Sequence, residues 1–155
     1  MLKKLFFAIT IVIALALIFW QGTEVNQDVD KRILESPRVL VGEHIFFVEV
    51  AVTEATRLQG LAGRAGLKDD EGMYFVFDTP DRYGFWMKGM FFSIDIIWIR
   101  GEEIIGFAEN LPPDNSSSPQ IYYPPAPVDR VLEVKAGMVQ ALGIKAGDMA
   151  QFLIP

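Results

Sequence analysis

Gly72 to Arg100 reads GMYFVFDTPDRYGFWMKGMFFSIDIIWIR, and this stretch decides the fold. It is dense in aromatic and β-branched residues, which suit pleated, half-buried surfaces. Met73 to Phe77 reads as a strand, and Asp78-Thr79-Pro80-Asp81 as a turn. Phe85 to Met87 reads as a second short strand or bulge, and Phe91 to Arg100 as the longest strand. Gly101-Glu102 then turns the chain into Glu103 to Ala108, a hairpin by pattern.

On the N-terminal side, Val39 to Val41 and Ile45 to Val52 read as strands around a Gly42-Glu43-His44 turn. Thr53 is placed to cap a helix running from Glu54 towards Ala62, with Ala55, Leu58 and Leu61 or Ala62 as its apolar face. The glycines at 60, 63 and 66 keep that helix short. On the C-terminal side, Asn110 to Pro127 is a proline- and serine-rich connection. Val131 to Lys135 is a strand, Ala136 to Leu142 is one or two helical turns, and Met149 to Ile154 is a final strand. The pattern predicts a mainly β (α+β) domain. Its sheet is small, curled and antiparallel or mixed, barrel- or sandwich-like, with one or two short helices.

The first twenty residues differ in character. Lys3 and Lys4 precede an apolar run from Leu5 to Trp20, broken only by Thr10. Sixteen residues at about 1.5 Å each span roughly 24 Å, against a hydrocarbon layer of roughly 30 Å. The segment is an N-terminal hydrophobic helix, either an anchor or a signal peptide. Cleavage wants small residues at the exit, and Trp20 stands there instead. Trp20 suits a membrane interface, and the two lysines suit its cytoplasmic side. Residues 1–20 are therefore expected to be a signal-anchor in the lipid bilayer, 21–36 a tether, and 37–155 a β-rich domain outside the cytoplasm. The alternative is cleavage, leaving a secreted or periplasmic domain.

The composition excludes several functions. The chain has no cysteine and a net charge of −6. Thiolate nucleophiles, zinc–thiolate sites and disulfides are absent. An acidic chain lacks the basic footprint that nucleic acid needs. His44 is the single histidine, so no histidine metal cluster forms, and no nucleophile elbow or phosphate-cradling glycine loop appears. No cofactor is expected.

The motifs Arg57-x-x-Gly60-Leu61-x-x-Arg64-x-x-Leu67, Gly72-Met73-x-Phe75-x-Phe77, Phe85-Trp86-Met87-Lys88 and Asp95-Ile96 follow one another in order. Val131-Leu132-Glu133, Ala136-Gly137 and Gly147-Asp148 continue the series. Together they make the chain resemble the bacterial and archaeal domain of unknown function 192, over about Val39 to Ile154. The resemblance implies a β-rich domain, often exported or membrane-tethered, and brings no activity. The chain departs from the family's pattern at Ala62, where Met is usual, and at Gly89-Met90, where Asn-Thr is usual.

Several residues are candidates for chemistry. Alternation places Asp95 on one strand face with Phe91, Ser93, Ile97 and Ile99. A carboxylate there needs a partner. It serves either as a general acid or base, with Glu133 as second carboxylate, or structurally, as an ion pair with Arg57, Arg64 or Lys88 or as a backbone-bound carboxylate that fixes the fold. Arg57 and Arg64, seven apart, would share a helix face and hold an anion, or pair with Asp95, Asp69, Asp70 or Glu133. Trp86, Met87 and Lys88 are core or ligand contacts. Met87 and Met90 are soft thioethers of the kind that select Cu(I), but core packing is their ordinary use, and no metal is expected. Tyr122 and Tyr123 sit between prolines, either as a recognition surface or as a cap on a sheet edge. The leading expectation is a membrane-tethered binding or accessory domain for an unknown small ligand or protein partner. The alternatives are a carboxylate-dependent hydrolase acting on an anionic or sugar-like substrate, and a structural or assembly protein.

Overall fold

The computed structural model describes residues 31, 32 and 34–155. Strand β1 (Arg38–Val41) folds back antiparallel onto β2 (His44–Ala51) through a turn in which Gly42 takes φ +60°. His44 belongs to β2 rather than to the turn, its ring edge-on to Phe46 at 4.5 Å. Helix α1 (Glu54–Gln59) starts at Thr53, whose hydroxyl accepts from Thr56 N–H at 3.2 Å while the Thr56 hydroxyl accepts from Thr53 N–H at 3.1 Å. The helix stops at Gly60 (φ +51°), short of the expected end near Ala62. Its expected apolar face is therefore not a helical face. Leu58 is 58% exposed, and Leu61 enters the core from beyond the helix end.

The chain continues through β3 (Glu71–Asp81), β4 (Phe85–Trp86), β5 (Ile94–Arg100) and β6 (Glu103–Leu111). It then runs through β7 (Ile121–Tyr122), β8 (Val128–Lys135), α2 (Met138–Leu142) and β9 (Ala150–Leu153). The segment Asp78 to Asp81, expected as a turn, extends β3 instead. A register shift between Val76 and Asp81 absorbs the irregularity. Strand β5 begins at Ile94 rather than Phe91, and Phe91 is 68% exposed.

The main sheet has seven strands in the order β6-β5-β8-β3-β2-β1-β9, and only β2 and β3 run parallel. It curls into a half-barrel whose edges approach one another. Glu103 bridges to Met149, Ile104 N–H donates to Asp148 O at 2.9 Å, and Ala150 N–H donates to Glu102 O at 2.7 Å. The fold is thus mainly β with two short helices, as the sequence pattern predicts. The expected N-terminal hydrophobic helix and most of the tether lie outside the described residues.

Both faces of the sheet are apolar. One core draws on all seven strands, including Val39, Phe46, Tyr74, Ile97, Ile104, Leu132 and Ala150. The other covers the opposite face of β3, β8 and β5, with Phe75, Ile96, Trp98 and Val131 under Leu61, Phe85, Met87 and Met90. The central strands pack tightly. A Cβ on Gly72 would lie 2.8 Å from the carbonyl oxygen of Glu133, so only glycine lets β3 approach β8 this closely.

Asp95 is fully buried on the seven-strand core's face, with Ile97 and Ile99. Its partners are backbone amides, not an arginine. Asn110 N–H donates to Oδ1 at 2.7 Å, and Val139 N–H donates to Oδ2 at 2.9 Å. Val139 lies in the first turn of α2, whose N-cap Gly137 offers no side chain. Asp95 therefore caps a helix from a distant strand and pins Asn110, which takes φ +53°. Asp95→Asn turns one acceptor into a donor facing an amide. Denaturant unfolding of this variant is expected to show a loss of about 2–3 kcal/mol.

Candidate functional site

Strand β8 lies between β3 and β5, and its register fixes which side chains share a face. Glu133 stands opposite Met73 on β3 and Ile96 on β5, both buried in the second core. Asp95 stands opposite Val134, whose side chain belongs to the first core. Directly opposed residues point to the same side of a sheet. Asp95 and Glu133 therefore face opposite sides, and the expected acid–base pair does not form.

Glu133 is 6% exposed. Among the described residues its carboxyl makes no hydrogen bond or ion pair. Burial pushes its pKa up to about 8, against a smaller opposing pull from the Arg64 charge. The group is thus largely a neutral acid near pH 7. It is not sealed in. It borders a cavity of about 350 Å³, walled by Leu58, Leu61 and Ala62 beside α1, Phe75 and Phe77 on β3, and Tyr83, Phe85, Trp86 and Met90.

The walls are held by specific contacts. Phe75 meets Phe85 edge-on at 5.1 Å, and Phe77 stacks on Tyr83 at 3.6 Å. Tyr83 donates its hydroxyl to Thr79 O at 2.6 Å. Arg57 also lines the cavity, but it is spoken for. Its Nη1 donates to Val52 O at 3.0 Å and Val76 O at 2.7 Å, and its guanidinium lies 5.1 Å from the Phe77 ring centre. Trp86 (41% exposed), Lys88, Glu54 and Asp78 border the same cavity, all of them exposed.

The other candidates lie elsewhere. Arg64 forms a two-pronged pair with Glu49, with Nη2 to Oε2 at 2.7 Å and Nη1 to Oε1 closer still. Arg64 thereby draws the Glu49 pKa below its ordinary value. Because α1 ends at Gln59, Arg57 and Arg64 share no helical face. Tyr122 sits in β7, paired with Phe85 of β4, and Tyr123 packs over Gly84, where a Cβ would come within 2.9 Å of its ring. The proline-rich segment is thus a strap over β4. It is fastened by Asn115 Oδ1 to Gly89 N–H (2.8 Å) and by Arg100 Nε to Pro127 O (2.8 Å). Met87 is fully buried and Met90 nearly so, both in the second core. Among the described residues no cluster of three His, Asp or Glu is placed to hold a metal.

The pocket's aromatic walls were visible in the sequence as candidate core, not as a site. Phe75, Phe77 and Tyr83 gain that role only when α1 and the strap leave room beside them. For Glu133 there was a signal. In Val131-Leu132-Glu133-Val134, a charge interrupts an apolar run, with Leu132 and Val134 on either side.

Three comparisons bear on this arrangement. The model of the DUF192 family, described as an uncharacterized ACR, matches residues 38–152. A solved structure from Sinorhizobium meliloti 1021, provisionally described as a transcription regulator, is 33% identical with a TM-score of 0.68. The match covers 76% of this chain and 92% of that one. A protein of unknown function from Novosphingobium aromaticivorans DSM 12444 is also 33% identical, with a TM-score of 0.65, covering 75% of this chain and 83% of that one. No curated protein matches the chain. The positions where this chain departs from the family pattern meet in space. A Cβ on Gly89 would lie 3.2 Å from that of Ala62, and Ala62 and Met90 both line the pocket.

The raised pKa of Glu133 has a stability consequence with a definite sign. Between its ordinary 4.5 and about 8, the folded chain holds a proton that the unfolded chain has lost. Stability therefore falls as pH rises through this window, by at most about 1.4 kcal/mol per unit. Glu133→Gln is expected to flatten this slope and to exceed the parent at pH 9 by on the order of 2–4 kcal/mol in denaturant unfolding.

Proposed function

The chain belongs to the domain of unknown function 192 family, and from that premise we propose that it is a ligand-binding module held at the outer face of a cell membrane. The observation that carries the binding reading is Glu133, a buried acid with no hydrogen-bond or ion-pair partner among the described residues, bordering an aromatic pocket. A cavity of about 350 Å³ is within the usual range for small-molecule sites. Its lining joins aromatic and aliphatic walls to charged residues, Glu54, Arg57, Asp78, Lys88 and Glu133, that can orient a ligand.

A binding role is favoured over hydrolysis because the sheet itself separates the two carboxylates expected to act together. An acid with pKa near neutrality suits proton transfer, but Asp95, the carboxylate expected beside it, faces the other side of the sheet, and the other carboxylates at the cavity, Glu54 and Asp78, are exposed at its border. The description of the Sinorhizobium relative as a transcription regulator is not carried over. A net charge of −6 supplies no phosphate-binding surface.

The membrane part of the reading rests on Lys3-Lys4 followed by the apolar run Leu5 to Trp20. Among the described residues no helix is long and apolar enough to cross a membrane. The full chain is expected in the membrane fraction, with the domain open to protease from outside the cell. A soluble cytoplasmic chain would overturn the tether.

For the pocket, a thermal-shift screen of the full chain in detergent with neutral, anionic and cationic aromatic compounds is expected to give a saturable rise in melting temperature. Trp86→Ala should weaken that binding about tenfold, since a cavity-facing aromatic wall is lost. A screen in which no compound raises the melting temperature would sink the binding reading.

A further inference from the structure

We propose that the pocket takes a small organic cation, an ammonium or guanidinium head on an apolar body, with the head against Glu133. This rests on the ligand-binding reading and narrows it to a chemical class.

Glu133 is buried but lines the cavity. Its cross-strand neighbours, Met73 and Ile96, offer no donor. The cations that face it are already engaged. Arg57 on α1 gives its Nη1 to two carbonyl oxygens, and Arg64 beyond α1 is bidentate on Glu49. Lys135, two residues along β8, is bound to Asp69 at 2.6 Å. Lys88 remains on the exposed rim. Glu54 on α1 and Asp78 on β3 add negative charge to the same cavity border, and Tyr83 has its hydroxyl tied to Thr79. Among the described residues no donor hydrogen-bonds Glu133, so a counter-charge for its carboxylate would come from a ligand.

The walls suit the same head group. Phe75, Phe77, Tyr83, Phe85 and Trp86 surround the cavity, and aromatic faces attract cations most strongly when water is excluded. Phe77 is already engaged by Tyr83 and Arg57, but the buried carboxyl and the remaining rings on one cavity give an ammonium both a charge partner and aromatic walls. The acidic balance of the chain favours its approach.

Binding then moves a proton. Free protein holds Glu133 as the acid; the bound cation stabilises the carboxylate, and the displaced proton goes to solvent. No other bond changes. With a free-state pKa of about 8, affinity should rise about tenfold per pH unit up to that point and then level off.

The test is calorimetry of the full chain in detergent with 2-phenylethylammonium and its neutral counterpart 2-phenylethanol, from pH 6 to pH 9. Expected are selective binding of the ammonium, the stated pH slope, and release of close to one proton at pH 7, seen by changing the buffer's ionisation enthalpy. Glu133→Gln, which should fold at least as stably as the parent, is expected to lose about tenfold or more in affinity at pH 8 and to show no pH slope. Equal or tighter binding of the alcohol, or ammonium affinity independent of pH, overturns the cation class while leaving the pocket a binding site. Failure of both probes where the broader screen finds another class at the pocket overturns the cation class as well. Failure of every compound in that screen overturns the binding reading itself.

Discussion

Strand β8 is covered on both faces, and the rest of the molecule is arranged around that burial. From Val131 to Val134, where it is flanked by β3 and β5 and packed above and below, the strand has to be apolar, because an unpaired polar group there loses its water and gains nothing; Asp129, Arg130 and Lys135 lie towards its less buried ends. Val131, Leu132 and Val134 obey, each fully buried. Glu133 does not. Its exception is tolerable only because the face it occupies is incompletely filled. The short α1, stopped by Gly60, and the strap that carries β7 to β4 leave a gap where a continuous layer would otherwise close over β8.

The opposite face shows how the same fold treats a carboxylate it intends to satisfy. Asp95 is as deeply buried as Glu133, yet both of its oxygens receive backbone amides. Those bonds start α2, far along the chain, and hold Asn110 near the end of the adjoining strand β6. A carboxylate with two charge-assisted hydrogen bonds replaces the cap that Gly137 cannot provide. Side by side, the two acids separate structure from function: one is consumed by the fold, and the other is left for something else.

Much of this was legible in the residues, and the reasons are local. The hairpin turn at Gly42, the Thr53 cap and the strands of Gly72 to Arg100 follow from propensity and from period-two alternation, which need no partner. Alternation alone also put Asp95 with Ile97 and Ile99. What the sequence withheld was register. Whether Asp95 and Glu133 share a face depends on Asp95 standing opposite Val134, and a one-residue slip would reverse the answer. The contacts of Arg57 were hidden for a related reason. It was read as holding an anion or pairing with a carboxylate, whereas the end of β2 and a stretch of β3 not paired to β2 supply two carbonyl oxygens to its guanidinium. Backbone acceptors are invisible to any reading that pairs side chains. The turn expected at Asp78 to Asp81 failed because β3 continues through a bulge, a tertiary choice made by β8.

A buried polar atom without a partner does not by itself mark a site. Among the described residues His44 Nε2 and Trp98 Nε1 are fully enclosed without a hydrogen-bond partner. Neither residue borders the cavity. Each belongs to a ring whose apolar surface already repays burial, and a polar group left dry costs about 1–3 kcal/mol. Glu133 differs on both counts. Its aliphatic stem is short, its charged form is the costly one, and its carboxyl opens onto space large enough for a ligand. A fold under selection for stability alone would replace it by Gln or Leu at little risk, since no contact would be lost. Retaining an ionisable acid there makes physical sense when the missing partner arrives from outside the chain.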